Sequence, residues 1–294
     1  MRELLALADA RRTRPSAERS AARALGRHAL RSLYAELVLY PKPGLVSMGD
    51  SGAHTDMSAA TFIRSLFALR GYFASAAALG MSSARFASLQ RLGMEAEARM
   101  MRATRGVNTH RGAIFTLGLF AAAAGVALAE RGFIEKGRLS EILRTRWTRE
   151  REVHRAARDP SSHGGQIAAR LGAPGALGEA IAGFPRVFQV ALPALDAALD
   201  RGASEEQAQL HALFSLLAVV DDTNVLHRGG AAGLARVQRR ARDFLAHGSV
   251  FARDYWARAC HWHRVCSTER LSPGGSADLL AAAWFAHLVE TKAP

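Results

Sequence analysis

The chain has 294 residues, of which 49% are hydrophobic and 22% charged, an ordinary composition for a globular protein that can bury a normal core. Its net charge of +13 attracts polyanions, but lysine occurs only at Lys42, Lys136 and Lys292, so an arginine bias supplies most of that charge and does not by itself predict nucleic-acid binding. Two cysteines, Cys260 and Cys266, are too few for a disulfide framework, which excludes the small disulfide-rich secreted class and favours a cytoplasmic protein.

The first half of the chain shows three helical patterns. An apolar stripe at helical spacing predicts a helix that must end before the proline-rich segment 41–44; the stripe consists of Leu30, Leu33, Tyr34, Leu37 and Val38. A second stripe predicts one helix opened by a cap at Asp56 or Ser58; it consists of Phe62, Leu66, Leu69 and Phe73. Residues 112–129 carry no charge but are rich in weakly apolar Gly and Ala, so we expect a buried core helix and no membrane span.

The second half continues the helical pattern. Apolar segments at 210–220, 234–245 and 277–288 predict three more helices. The charge-dense segment 144–158 predicts a solvated helix or a surface excursion, and not a site. No run of alternating β-branched residues predicts a strand. The sequence therefore predicts an all-α fold, a single multi-helix domain spanning 1–294, with Gly-rich loops forming a central cleft and 131–165 as its most mobile part.

Four short loops, rich in Gly and in polar residues, adjoin these helices at 41–57, 106–112, 221–230 and 271–278. A lone lysine in an arginine-rich chain, Lys42, favours a site that needs a compact charge. The loop at 106–112 precedes a helix whose N-terminus can bind an anion, and the adjacent acids Asp221 and Asp222 suit a hard cation such as Mg²⁺. Each loop taken alone is explained equally well by a turn or a helix cap.

Taken in order, the loops carry motifs that resemble the triphosphoribosyl-dephospho-CoA synthases, which serve citrate lyase and malonate decarboxylase. The motifs are PKPGLV at 41–46, GAH-x-DM at 52–57, G-x-NTH-x-G at 106–112, GE at 178–179 with LP at 192–193, DTN at 222–224 with RGG at 228–230, and SPGGSADLL at 272–280. The chain departs from the family pattern at Ser47, where an acid is common, at Arg111, which replaces a lysine, and at Leu177, which replaces a basic residue.

The resemblance implies that a ribose hydroxyl of 3′-dephospho-CoA attacks the anomeric carbon of ATP and that adenine leaves through an oxocarbenium-like transition state. The product would pass to an acyl carrier protein, with malonate decarboxylase preferred to citrate lyase. The implied catalytic residues are His54, Asp56, Glu97, His110 and Glu179, and Glu36 is a weaker candidate. The implied substrate-binding residues are Lys42, Gly44, Asn108, Thr109, Arg111, Arg228, Gly229, Gly230, Ser272, Gly274, Gly275 and Ser276. The implied Mg²⁺ ligands are Asp56, Glu97 and Asp222.

The sequence leaves open two other functions and one other kind of site. A Mg²⁺-dependent helical hydrolase of nucleotides or ADP-ribose would have similar acids and glycines, and a basic nucleic-acid-binding module would share the charge. The cluster Cys260, His261, His263 and Cys266 admits a zinc site, but its spacing is not that of a standard finger, and we favour helix packing. We expect neither a nucleic-acid nor a membrane partner, and the sequence does not determine the oligomeric state.

Overall fold

The computed structural model of the chain describes residues 2–156 and 175–291, which form helices and loops without a strand. The predicted all-α fold is therefore confirmed. In chain order the helices are α1 (Arg2–Val38), α2 (Ala59–Leu69), α3 (Tyr72–Met81), α4 (Phe86–Ala103), α5 (Arg111–Arg131), α6 (Arg138–Thr145), α7 (Thr148–Ala156), α8 (Gly175–Ile181), a π-helical turn (Val187–Ala191), α9 (Leu192–Asp200), α10 (Glu205–Leu217), α11 (Thr223–Ala246), a 3₁₀ turn (Ser249–Phe251), α12 (Tyr255–Thr268) and α13 (Gly274–Thr291).

Helix α5 lies at the centre of the fold, in contact with α1, α3, α4 and α13. It is long and apolar enough to cross a membrane by length and composition, but 83% of its most apolar window is buried inside the described fold. The helix therefore has the placement predicted for a core helix. Around it, buried apolar residues from Ala22 to Val289 form one continuous cluster.

Helices α3 and α5 approach each other so closely that each must present a glycine. A Cβ on Gly125 would lie 2.1 Å from the carbonyl oxygen of Ala77, and a Cβ on Gly80 would lie 1.9 Å from that of Ala122. Because both obstacles are backbone atoms, an added methyl group must push the two helices apart. We expect Gly125→Ala to lower the free energy of unfolding by about 1–3 kcal/mol, measured by chemical denaturation.

The matched control for this substitution is Gly71→Ala. A Cβ at Gly71 would meet no atom within 4 Å, and its φ of −99° suits any residue. Unfolding midpoints that coincide for Gly125→Ala and Gly71→Ala would contradict the close crossing.

The buried face of α1 differs from the predicted stripe. Leu33 and Leu37 are buried as expected, but Tyr34 is 49% exposed and Val38 is 36% exposed. The core-facing positions include small residues such as Ala29 instead. The physical reason is the close packing of α1 on α3, which small side chains permit and bulky ones prevent. The prediction that Tyr34 and Val38 face the core was wrong.

Two other predictions are corrected at the level of single elements. The stripe from Phe62 to Phe73 belongs to two helices, because the chain turns at Gly71 between α2 and α3.

In the charge-dense segment, Arg151 is fully buried and donates hydrogen bonds to the carbonyl oxygen of Leu143 and to Thr148 Oγ1, so α7 is not simply a solvated helix. Residues 157–165 of the segment expected to be mobile lie outside the described residues.

Candidate active site

A cavity of ≈ 1020 Å³ opens beside the N-terminal end of α5. Its wall is formed by α1, α4, the segment 54–57, the loop 106–112 and the starts of α11 and α13. Four loops that lie far apart in sequence thus meet at one place. The volume lies at the upper end of the range for small-molecule sites, so the cavity suits a ligand larger than a single nucleobase.

Most of the residues singled out from the sequence line this cavity. They are His54, Asp56, Glu97, Asn108, Thr109, His110, Arg111, Glu179, Asp222, Arg228, Ser272, Gly274 and Gly275. Five do not line it, namely Lys42, Gly44, Gly229, Gly230 and Ser276. A place on the wall makes a residue available to a ligand but does not assign its chemical role, so the predicted roles stay predictions.

The start of α5 offers hydrogen-bonding groups that no described residue satisfies. His110, at the N-cap position, is only 3% exposed, and its Nδ1 lies 2.6 Å from Ser65 Oγ. Because that hydroxyl has no other described partner, we assign it as the donor, which leaves the imidazole proton on Nε2. Both His110 Nε2 and Thr109 Oγ1 are buried without a described partner. Asn108 Oδ1 accepts from the Arg111 N–H, and the next two N–H groups of the helix have no partner within the helix. With His110 and Thr109 they form a ready site for ligand oxygen or nitrogen atoms.

The His110 imidazole is neutral in this setting. Burial, and secondarily the charge of Lys42, lowers its pKa to about 3. A group with that pKa carries no second proton near neutral pH. His110 can therefore polarise a ligand as a hydrogen-bond donor, while proton transfer, one of the roles expected from the sequence, requires another group.

His54 joins the first, third and fourth loops. Its Nδ1 lies 3.1 Å from Arg228 Nη2, which can only donate, so the imidazole proton lies on Nε2, 2.8 Å from Ser272 Oγ. Arg228 also donates to the carbonyl oxygen of Ala53. Burial and then the Arg228 charge lower the pKa of His54, while Asp56, 3.6 Å away, acts in the opposite direction. Since Ser272 accepts from His54, its own hydroxyl proton is left for a ligand.

Two ion pairs stand on the cavity wall. Glu97 Oε1 lies 2.5 Å from Arg111 Nη2, and Glu179 Oε1 lies 3.4 Å from Arg186 Nε. Burial raises the pKa of the Glu179 carboxyl, and Arg186 partly opposes that effect. An anionic ligand at this wall would compete with the carboxylates for both guanidinium groups.

The structure corrects the expectation that Lys42 faces the cavity. Its side chain is fully buried behind the wall, and its ammonium group donates to the main-chain oxygen of Glu36 and, at 2.6 Å, to Glu36 Oε1. Glu36, not Lys42, lines the cavity. The lysine therefore holds a carboxylate in place and lies out of reach of a phosphate.

Asp222, expected to bind Mg²⁺, is occupied by the helices around it. Its Oδ1 accepts from the backbone N–H groups of Asn224 and Val225 and so caps α11. Its Oδ2 accepts from the backbone N–H of Ser276, at 2.8 Å, and from Ser276 Oγ, at 3.0 Å. One buried carboxylate thus joins the starts of α11 and α13, which also explains why Ser276 points away from the cavity.

The remaining glycines act through the backbone. Gly44 has a φ of +65°, and a Cβ there would lie 1.9 Å from the carbonyl oxygen of Leu271. A Cβ on Gly229 would lie 2.5 Å from Leu271 Cδ2, and Gly230, with a φ of +60°, breaks the helical geometry inside α11. Gly44 and Gly229 let the first, third and fourth loops pack together, and none of the three glycines lines the cavity as expected.

Among residues 2–156 and 175–291, no three His, Cys, Asp or Glu side chains are grouped so that they could hold a metal ion. This includes the cluster considered for zinc. His263 instead bonds the carbonyl oxygen of Lys42 through Nδ1 and lies 2.8 Å from Asp50 Oδ2 through Nε2. It fastens the first loop to α12, a packing role.

One acid on the cavity wall was missed. Asp278, on the second turn of α13, is half-buried and lines the cavity. Its position inside the SPGGSADLL motif is the available signal, although the glycines and serines of that segment are the residues typical of phosphate binding.

Comparison with known proteins agrees with the motifs. Residues 22–294 match the family model described as CitG, ATP:dephospho-CoA triphosphoribosyl transferase. Relatives named probable 2-(5''-triphosphoribosyl)-3'-dephosphocoenzyme-A synthase are 36% identical in Acinetobacter calcoaceticus (90% of this chain, 93% of the relative), 40% in Vibrio cholerae serotype O1 strain M66-2 (90% and 87%) and 41% in Citrobacter koseri (87% of each). No solved structure gives a significant match. The chain therefore belongs to the ATP:dephospho-CoA triphosphoribosyl transferase family.

Proposed function

We propose that this protein transfers the triphosphoribosyl group of ATP to a ribose hydroxyl of 3′-dephospho-CoA and releases adenine. The proposal is supported by the family match over residues 22–294 and by relatives of similar length that carry this product's name. The observation that carries it is the cavity itself, which is lined both by hydrogen-bond donors from three loops and by carboxyl groups.

The donors suit the phosphate groups of the two substrates. The first turn of α5, with Thr109 and the Nε2–H of His110, forms a compact anion site. Ser272 and Arg228 provide further donors to the same cavity. The carboxyl groups suit the sugar, since an oxocarbenium-like transition state gains positive charge that nearby negative groups stabilise. Donors and carboxyl groups on one cavity wall suit a substrate that carries both phosphate groups and a reacting sugar.

Mg²⁺ enters the proposal as a companion of the triphosphate, where it would neutralise charge. The described residues offer no preassembled cluster for it, and both oxygens of Asp222 already accept hydrogen bonds. Asp56 and Glu97, on the cavity wall, are the acids that would contact a metal carried in by ATP.

The test is to incubate the purified protein with ATP, Mg²⁺ and dephospho-CoA and to follow adenine by chromatography and the product by mass spectrometry. We expect adenine in equal amount to a product heavier than dephospho-CoA by one triphosphoribosyl group. No adenine is expected when dephospho-CoA is omitted. Formation of ADP or AMP, or adenine release without dephospho-CoA, would support the hydrolase alternative.

We further propose that the enzyme works in the cytoplasm and that its product serves the acyl carrier protein of malonate decarboxylase. The alternative recipient is the carrier subunit of citrate lyase. Incubating the product with each carrier, together with the enzyme that attaches the group, distinguishes the two.

A further inference from the structure

Of the acids on the described cavity wall that are not exposed, Asp278 alone has no hydrogen-bond or ion-pair partner among the described residues. The others in that group are engaged: Glu36 with Lys42, Glu97 with Arg111, Glu179 with Arg186, and Asp222 with the helix starts that it caps. Asp56 and Asp221 are exposed to water. An unpartnered polar group on the wall of a site is available to a ligand.

The carboxyl of Asp278 lies against the first turn of α5, at a position where only glycine leaves room. A Cβ built on Gly112 would lie 2.0 Å from Asp278 Oδ2 and 3.0 Å from its Cγ. The orphaned Nε2 of His110 and Oγ1 of Thr109 belong to the same helix start and the same cavity. Three polar groups without a described partner therefore line one cavity near the starts of α5 and α13, and they indicate that a polar ligand binds there.

The charges around Asp278 favour its protonated form. The groups that face it are Glu36 on α1 with its partner Lys42, Asp222 at the start of α11, and His110 and Arg111 at the start of α5. His110 is neutral, Arg111 is paired with Glu97, and Lys42 is engaged by Glu36. Burial, followed by the charges of Glu36 and Asp222, raises the pKa of Asp278 well above that of an ordinary aspartate.

We propose that Asp278 is the general acid of the transfer reaction and protonates the adenine leaving group, an inference that rests on the proposed function. The C1′–N9 bond of ATP breaks and its electron pair stays with adenine, while the proton on Asp278 moves to an adenine ring nitrogen. The ribose hydroxyl of dephospho-CoA bonds to C1′, and its proton passes to solvent, from which Asp278 is protonated again. Atoms and charges balance without a further reactant.

The experiment compares Asp278→Asn with wild type and with Asp243→Asn, which removes an acid from an exposed position on α11. In the adenine-release assay we expect kcat to fall about 10²–10⁴-fold in Asp278→Asn, with KM for ATP changed by less than about threefold. Asp243→Asn should match wild type. A wild type that releases no adenine would refute the proposed function, whereas an active wild type with Asp278→Asn above about a tenth of its kcat would refute only the role of Asp278.

Two further readouts separate an acid from a structural residue. Wild-type kcat should be level at low pH and fall as pH rises through the pKa of Asp278. The melting temperature of Asp278→Asn should equal or exceed that of wild type, since a half-buried acid without a partner adds nothing to stability. A kcat that instead rises with pH over that range would overturn the assignment. Gly112→Ala displaces the Asp278 carboxyl but leaves it in the protein. It should lower kcat at least about tenfold, and its kcat should still fall at high pH. An unchanged kcat in Gly112→Ala would also overturn the assignment of Asp278.

Discussion

Replacing Lys42 with methionine is expected to lower the free energy of unfolding by about 3–5 kcal/mol. The ammonium group is wholly buried and donates to Glu36 through both the main chain and, at 2.6 Å, the carboxylate. Methionine has a similar volume, so packing changes little. The loss arises because the Glu36 side chain, only 8% exposed, keeps a charge without its partner.

The loss is measured by urea denaturation, with Lys136→Met as the matched control. Lys136 also forms an ion pair, 2.9 Å from Asp196, but its side chain is 75% exposed, so its removal should cost less than about 1 kcal/mol. The double substitution Lys42→Met with Glu36→Gln removes both charges and should recover much of the stability. If Lys42→Met were as stable as Lys136→Met but had a raised KM for ATP, the phosphate-binding role expected from the sequence would be restored.

The sequence predicts the helices well where the pattern is local. The uncharged segment 112–129 becomes α5, Arg111–Arg131, because hydrophobic composition and helix propensity act within one element. The outward turn of Tyr34 and the break at Gly71 depend on how closely α1, α2 and α3 approach one another. That distance is set by residues far apart in the chain, which periodicity does not report.

The candidate site shows the same contrast between local sequence pattern and tertiary arrangement. Ordered motifs identify the segments that meet at the cavity, because each combines turn-forming glycines with reactive side chains. They do not tell which side chain of a motif reaches the ligand. Lys42 turns inward to Glu36, and Asp222 is taken up by helix starts while Asp278 stays open to the cavity. All are charged residues in matching motifs, and only the tertiary arrangement separates their roles.

Asp222→Asn is expected to destabilise the protein by about 1–3 kcal/mol, although the change is nearly isosteric. The amide keeps one oxygen, which can accept either from Asn224 and Val225 or from Ser276. If the oxygen accepts from one helix start, the NH₂ group faces the backbone N–H donors of the other helix start. A buried donor is left unsatisfied, and the starts of α11 and α13 lose their link. Turnover should fall as well, because Ser272 and Asp278 lie beside that link.

The control is Asp221→Asn, which alters the neighbouring exposed acid and should change the unfolding free energy by less than about 0.5 kcal/mol. Titration with Mg²⁺ separates the cap from a metal ligand. If Asp222 were a metal ligand, Asp222→Asn and Asp221→Asn would unfold at the same urea concentration. Excess Mg²⁺ would then restore part of the lost turnover of Asp222→Asn, since weakened binding is overcome by a higher concentration. Loss of the cap shifts the unfolding curve and leaves a deficit in kcat that saturating Mg²⁺ does not repair, because the misplaced groups belong to the protein itself.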